Sequence, residues 1–255
     1  MPYLRVVNGG TDVMVGVNAG TTNVEGWLNL RRVDELGGIE RVDRGLRIGG
    51  GVTFAEIESA LAQEVPALAM AARTVGSRQI RSVGTIGGNL ATASPAGDAL
   101  PPLLVLDAEV DLVSPRGMRT LRLDEFLVGP KRTALAADEL VAAVILTNWS
   151  GAQHFSKVGT RNAMVISISS LAARLDVEGG HARAAAGAVG PTALLLREAA
   201  DLLLQRDGAD GFADRVAQEV SPIDDHRATA AYRRASVRVL ARRMHHHLWQ
   251  EQVGR

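Results

Sequence analysis

The chain has 255 residues, 46% of them hydrophobic, and its 28 basic and 28 acidic residues give a formal net charge of zero. This balance excludes the basic footprint of a nucleic-acid-binding protein. No apolar run is long enough for a transmembrane segment, and the polar start does not resemble a signal peptide. We therefore expect a cytoplasmic protein. The absence of cysteine excludes disulfides and the thiolate ligands of an ordinary iron–sulfur cluster, so any redox chemistry needs an organic cofactor.

The first predicted element is a short buried strand over residues 4–7, followed by the loop Asn8-Gly9-Gly10-Thr11-Asp12. Two glycines after a strand allow the backbone to approach a phosphate group closely. Thr11 or Asp12 could cap the turn that follows, and a helix start there would favour a pyrophosphate. Taken by itself, this segment can also be interpreted as an ordinary hairpin.

Two helices are predicted next. The glycine triplet at 49–51 lacks the spacing of a dinucleotide fingerprint, so we interpret it as a structural turn. Thr53 followed by Glu56 has the spacing of a capping box, which predicts a helix from about 54 to 63. A second apolar pattern predicts a helix over 68–75, which leads into the central segment of the chain.

The central segment, residues 76–98, is rich in glycine, small hydroxyl residues and amides. Glycines at 84, 87 and 88 allow backbone angles with positive φ and close approach of a ligand to the main chain. Successive free N–H groups in such a loop form a concave anion site that suits phosphate.

Polar side chains in the same segment extend the predicted site. Thr85, Asn89 and Ser94 supply donors, and Asp98 supplies an acceptor for sugar hydroxyls. The combination predicts a nucleotide cofactor cradle without the lysine of a P-loop. The alternative interpretation is a tight surface loop that joins a helix to a strand.

The remaining pattern alternates strands and helices. Strands are expected at 110–113, 120–123, 141–146, 166–175 and 182–189, and helices at 192–204, 213–220 and 224–248. The three histidines at 245–247 cannot converge on one ion because adjacent helical side chains diverge, so we expect a solvated stretch and no metal. A solvated face is also expected for the arginines at 233, 234, 238, 242 and 243.

The run Thr85-Ile86-Gly87-Gly88-Asn89, followed by Ala93-Ser94-Pro95 and Asp98, resembles the flavin-binding signature of the molybdenum hydroxylases. That family includes the FAD subunits of carbon monoxide dehydrogenase and xanthine dehydrogenase. The earlier Gly9-Gly10-Thr11-Asp12 is similar to the first flavin loop of the same family.

The resemblance implies an α+β fold in which a two-lobed FAD-binding domain over 1–148 precedes a smaller α+β C-terminal domain over 149–255. Family chains usually begin some tens of residues before the first glycine loop. We therefore expect a reduced N-terminal lobe over about 1–50 and a main lobe over about 51–148.

The resemblance also implies a function. The chain is expected to be the FAD-binding medium subunit of a molybdenum hydroxylase, beside a large chain with the molybdenum cofactor and a small chain with 2Fe-2S clusters. It would pass electrons through FAD to NAD, a quinone or oxygen. The alternatives are a stand-alone FAD-dependent oxidoreductase that acts on a small organic substrate, and a scaffold that has lost the flavin.

Three site residues are expected from the resemblance rather than from their own pattern. Lys157 would lie near the flavin, where a cation favours the reduced, anionic ring. Val75 would pack on the flavin ring, and the Val141 backbone would contact it. Acid or base catalysts cannot be named.

The complete set of expected cofactor contacts is Val7, Asn8, Gly9, Gly10, Thr11, Asp12, Val13, Val75, Thr85, Ile86, Gly87, Gly88, Asn89, Ala93, Ser94, Asp98, Val141 and Lys157.

Overall fold

A computed structural model describes residues 4–253 as an α+β fold, which confirms the predicted fold class. The strands are β1 (Leu4–Val7), β2 (Gly26–Asn29), β3 (Ile39–Val42), β4 (Gly45–Gly49), β5 (Glu109–Ser114), β6 (Gly117–Arg122), β7 (Leu127–Gly129), β8 (Arg132–Thr133), β9 (Leu140–Leu146), β10 (Ala152–Val158), β11 (Ser169–Asp176), β12 (His181–Gly187) and β13 (Leu194–Leu195).

The helices connect and cover these strands. They are α1 (Val13–Asn18), α2 (Phe54–Ala60), α3 (Pro66–Thr74), α4 (Arg78–Arg81), α5 (Ile86–Thr92), α6 (Leu100–Val105), α7 (Leu123–Phe126), α8 (Arg197–Leu203), α9 (Ala209–Glu219) and α10 (Ala230–Val253). The predicted capping box forms at the start of α2, where the Glu56 amide donates to Thr53 Oγ1 and the Thr53 amide donates to Glu56 Oε2.

The first half of the chain is organised on an antiparallel sheet with the strand order β3-β4-β9-β5-β6. Val110 and Leu112 of β5 and Val144 of β9 are fully buried and pack with apolar residues of α2, α3, α5 and α6. Alternate residues of these strands therefore supply the sheet side of one core, as the period of a strand requires.

The second half is organised on an antiparallel sheet with the order β10-β11-β12-β13. Ala172 and Ala185 are buried in the core of the first half. Their neighbours Leu171 and Ala173 pack in a second core with α8, α9 and α10. This sheet is therefore covered on both faces, and one of its faces completes the core of the preceding half. The division of the chain between 148 and 149 stays a prediction.

Several predicted elements differ from the structure, among them the first strand and the helix expected from residue 192. The strand β1 is not buried: Leu4 and Val6 are 39% and 43% exposed, and β1 pairs only with β2 in the described part of the chain. The helix predicted from residue 192 begins only at Arg197, because Leu194 and Leu195 hydrogen-bond along the edge of β12 instead.

The last helix is not solvated along its whole length. Four of its five arginines and His246 are exposed as expected, whereas Arg233 and His245 are buried and correct the prediction. His245 is completely buried, and its Nε2 lies 2.8 Å from the carbonyl oxygen of Gln205. Arg233 is 3% exposed and donates to the carbonyl oxygens of Ile168 and Ala188. These residues are buried because α10 covers the C-terminal sheet. In residues 4–253, none of the helices has the length and apolar character needed to cross a membrane.

A histidine pair marks the contact between β10 and α10. The ring centroids of His154 and His247 lie 4.1 Å apart, and His154 Nε2 lies 3.0 Å from Ser156 Oγ. Burial, together with the positive charge that His247 can carry, lowers the pKa of His154 from 6.5 to about 4. The folded protein therefore keeps this imidazole neutral at pH values where the unfolded chain protonates it.

This difference predicts that stability falls as the pH drops through the window from 6.5 to about 4, because the unfolded state then binds the extra proton. Replacing His154→Gln should make the fall of the melting temperature across this window shallower. The control is His226→Gln, which removes an exposed histidine and should leave the pH profile unchanged. An identical profile for wild type and His154→Gln would contradict the prediction.

Candidate functional site

The run Thr85–Asn89 is the first turn of a helix rather than an open loop. Thr85 is the N-cap of α5, and its Oγ1 accepts a hydrogen bond from the Gly88 amide at 3.2 Å. The amides of Ile86 and Gly87 donate to the carbonyl oxygens of Val52 and Gly50 at 2.9 Å. The prediction that free N–H groups of this run form an anion site is therefore wrong, because the protein itself accepts their hydrogen bonds.

The glycines of this run are required by packing and not by positive φ, which corrects the second part of that prediction. Gly84, Gly87 and Gly88 have no left-handed backbone angles; Gly10 does, with φ of +70°. A Cβ at position 87 would lie 2.6 Å from the carbonyl oxygen of Gly50. The start of α5 therefore rests directly on the main chain of the glycine triplet.

The two glycine segments that the sequence placed far apart meet in the structure. A Cβ at Gly9 would lie only 1.8 Å from the carbonyl oxygen of Val83, and a Cβ at Gly84 would lie 3.4 Å from Thr11 Oγ1. A side chain at position 9 would therefore force the segments apart. The segment 8–12, called the first loop from here on, lies beside the N-terminus of α5.

The free donors of the site lie in the first loop. Within residues 4–253, the amides of Gly9, Gly10, Thr11 and Asp12 donate to no oxygen atom. Asp12 occupies the N-cap position of α1 without a side-chain capping bond, contrary to the capping predicted there. A run of adjacent unused amides is the arrangement that binds phosphate oxygens.

A second unused polar group lies on α5. The Oδ1 atom of Asn89 is buried and has no hydrogen-bond partner in the described part of the chain. The neighbouring Gly88 is exposed, so the surface beside this acceptor is open and free of side-chain bulk. Buried acceptors are nearly always paired in folded proteins, so this one is available to a donor from outside the described chain.

Asp98 and Lys157 form an ion pair with each other. Lys157 Nζ lies 2.5 Å from Asp98 Oδ2, and it also donates to the carbonyl oxygens of Thr74 and Val165. Asp98 further accepts from Thr74 Oγ1 at 3.0 Å and from Ser167 Oγ at 2.5 Å. The three ammonium hydrogens are thus used within the protein. Contacts from Asp98 to a sugar and from Lys157 to a flavin ring stay predictions.

The remaining predicted residues lie on several elements. Val75 is half-buried and directly follows α3, and Ala93 ends α5 with φ of +44°. Ser94 Oγ accepts from the Ala96 amide in a local turn. Val141 is buried in β9, and its carbonyl oxygen would lie 2.3 Å from a Cβ at Gly50.

Three participants were missed from the sequence. Gly50 forms the floor beneath α5, and the glycine triplet was its only signal. Thr74 and Ser167 donate the other side-chain hydrogen bonds to Asp98. No sequence pattern indicates this, because the two donors lie in different halves of the chain and only the fold brings them to the same carboxylate.

Comparison with known proteins agrees with this architecture. Residues 1–149 match the FAD binding domain in molybdopterin dehydrogenase, and residues 154–248 match the CO dehydrogenase flavoprotein C-terminal domain. The chain therefore belongs to the molybdopterin dehydrogenase flavoprotein family. The protein is an FAD-binding subunit of an oxidoreductase, which confirms the predicted family and cofactor.

Individual relatives cover most of the flavoprotein. It is 30% identical to the xanthine dehydrogenase FAD-binding subunit of Escherichia coli O157:H7, over 95% of this chain and 88% of the relative. It is 34% identical to the nicotinate dehydrogenase FAD-subunit of Eubacterium barkeri, over 78% and 71% of the two chains. The structure of CO dehydrogenase from Oligotropha carboxidovorans superposes with a TM-score of 0.87 at 25% identity, over 94% and 87%.

The buried pair makes a strong prediction for stability. The side chains of Lys157 and Asp98 are 11% and 7% exposed, and removal of one partner of such a pair costs about 3–5 kcal/mol. Lys157→Met should therefore lower the free energy of unfolding by about that amount. In the double variant with Asp98→Asn part of the loss should return, because no buried carboxylate remains without its counter-ion. Denaturant titration measures all three values.

The matched control is Lys131→Met, since Lys131 is the other lysine of the sequence and is exposed. Its free energy of unfolding should stay within about 0.5 kcal/mol of wild type. Equal losses for Lys131→Met and Lys157→Met would refute the role of the pair.

Proposed function

We propose that the flavoprotein holds FAD between the first loop and the N-terminus of α5. The unused amides at 9–12 would bind its phosphates, and Asn89 Oδ1 would accept a hydrogen bond from one of its hydroxyls. Because Gly87 and Gly88 have no side chains, FAD would approach the backbone of α5 closely. The carrying observation is the run of free amide donors in the first loop, which contacts the residues just before α5, the helix that carries the unpaired acceptor. The proposed contacts are Val7, Asn8, Gly9, Gly10, Thr11, Asp12, Val13, Val75, Thr85, Ile86, Gly87, Gly88, Asn89, Ala93, Ser94 and Val141.

Asp98 and Lys157 are proposed to support this site from below. Their network joins the end of α3, the segment before α6 and strand β10. Val75 follows Thr74 directly, and Ser94 lies shortly before Asp98. The pair would thereby fix the two segments that carry these residues.

We further propose that electrons reach this subunit from 2Fe-2S clusters on a partner chain. The clusters would receive these electrons from a molybdenum cofactor on a second partner chain. FAD, when bound, can exchange electrons singly with a cluster and in pairs with an acceptor such as NAD, a quinone or oxygen. The lack of cysteine supports the division of labour, because this chain offers no thiolates for a cluster.

The titratable groups of the site favour electron transfer over the stand-alone alternative. The charged side chains among the described site residues are those of Asp12, Asp98 and Lys157, and the last two form a buried ion pair. Asp12 is exposed at the outer edge. An enzyme that oxidises an organic substrate by itself would need a positioned acid or base, and this arrangement favours binding and orientation instead. A cytoplasmic location stays a prediction.

Asn89→Ala tests the site directly. The substitution removes an acceptor with no protein partner, so the stability of the flavin-free protein should not fall, whereas FAD affinity should drop about tenfold. Gly9→Ala should lower both, because its Cβ collides with the Val83 carbonyl group. The control Asn162→Ala, at an exposed asparagine, should change neither. FAD per chain is measured from the visible spectrum and melting temperature by calorimetry. Normal FAD affinity in Asn89→Ala refutes the assignment.

The partner and acceptor proposal has its own experiment. Chain isolated from its native cells should bring with it two further chains, one with molybdenum and one with iron and acid-labile sulfide. The chemically reduced, FAD-loaded chain is then mixed without air with NAD or a quinone, and separately with oxygen; the acceptor is the one that restores the visible flavin band fastest. Turnover of an organic substrate by this chain alone would support the stand-alone alternative.

A further inference from the structure

A cavity lies at the opposite end of α6 from Asp98. Asp98 precedes this helix and Asp107 follows it, and Asp107 lines a cavity of about 430 Å³ where β11 and β12 meet α8. None of its lining residues belongs to the FAD site described above. The inference drawn from it stands independently of the proposed function.

The cavity is built on a buried arginine. The side chain of Arg174 is 1% exposed, its Nε donates to the carbonyl oxygen of Val105 at 2.9 Å, and its Nη2 lies 3.3 Å from Asp107 Oδ2. Its Nη1 is buried and has no partner among residues 4–253. Burial lowers the pKa of this guanidinium because the charged form has lost its hydration. A buried charge with an unpaired donor is costly unless an acceptor occupies the site.

The surrounding charges leave a positive excess. Asp107 shares its carboxylate between two guanidinium groups, since Arg183 Nη2 lies 2.8 Å from its Oδ1 while Arg174 contacts Oδ2. Arg197 also lines the cavity. Its ion-pair partner Asp124 forms a second ion pair with Arg122. Asp201 is the other acid of the wall. Three arginines therefore face two aspartates.

We propose that this cavity binds a small phosphate-bearing molecule, with the phosphate on Arg174 and Arg183 and the remainder against Leu195 and Leu196. Guanidinium groups suit phosphate because their donors pair with two oxygens at once. The volume lies within the range of small-molecule pockets. Because Asp107 comes from the first half of the chain and the arginines from the C-terminal sheet and α8, a bound anion would tie the two together.

The test uses the FAD-loaded protein, so that the nucleotide site is filled. Isothermal titration with inorganic phosphate and with AMP should show saturable binding of one molecule per chain, and adenosine at matched ionic strength should not bind. Arg183→Gln should weaken binding at least about tenfold. Arg197→Gln, at a side chain 65% exposed, should weaken it less and carries little risk of misfolding. Arg206→Gln removes the same charge outside the cavity and should leave binding unchanged.

The flavin band is recorded throughout and should stay constant, which separates this site from the proposed FAD site. The proposal is overturned if neither phosphate nor AMP binds saturably at millimolar concentration, or if adenosine binds as well as AMP. It is also overturned if Arg183→Gln and Arg206→Gln change affinity equally, since binding would then reflect net charge alone.

Discussion

The site depends on main-chain segments that approach one another more closely than any side chain would permit. Gly9 lies against Val83, Gly87 lies against Gly50, and Gly50 lies against Val141. Each contact uses the absence of Cβ to join two elements that are distant in the sequence. The first loop, the glycine triplet and the start of α5 are thereby fixed as one surface. These glycines therefore serve tertiary packing first and ligand access second.

A buried charge network joins the two halves of the chain between α3, α6 and β10. Lys157 reaches from strand β10 to Asp98 and Thr74, and Ser167 completes the coordination of the carboxylate. Such a network is favourable only when all its members are satisfied, because an unpaired buried charge is costly. The two halves of the chain are consequently held together at the site by polar contacts, and elsewhere by the shared apolar core that contains Ala172 and Ala185.

Much of this arrangement could be predicted from the sequence, because local chemistry specifies it. The capping box at Thr53 predicted its helix correctly, and the signature at Thr85–Asn89 identified the family, although the loop expected there is the first turn of α5. The state of the backbone at Gly87 could not be predicted, because glycine permits both left-handed and helical angles and the packing partner Gly50 lies far away in the sequence. The burial of His245 and Arg233 depends on how α10 lies on the C-terminal sheet, which no local pattern reveals. Likewise, the lysine near the site was found by resemblance, and only the tertiary structure shows its pairing with Asp98.

The separation of Asp98 and Lys157 along the chain has a consequence for biosynthesis. The two residues are 59 positions apart, and Ser167 lies 69 positions from Asp98. On the ribosome, Asp98 emerges well before the lysine that neutralises it, so the first sheet cannot bury this carboxylate at no cost until β10 has been translated. The nascent first half therefore reaches its final packing around Asp98 only after the C-terminal sheet has docked.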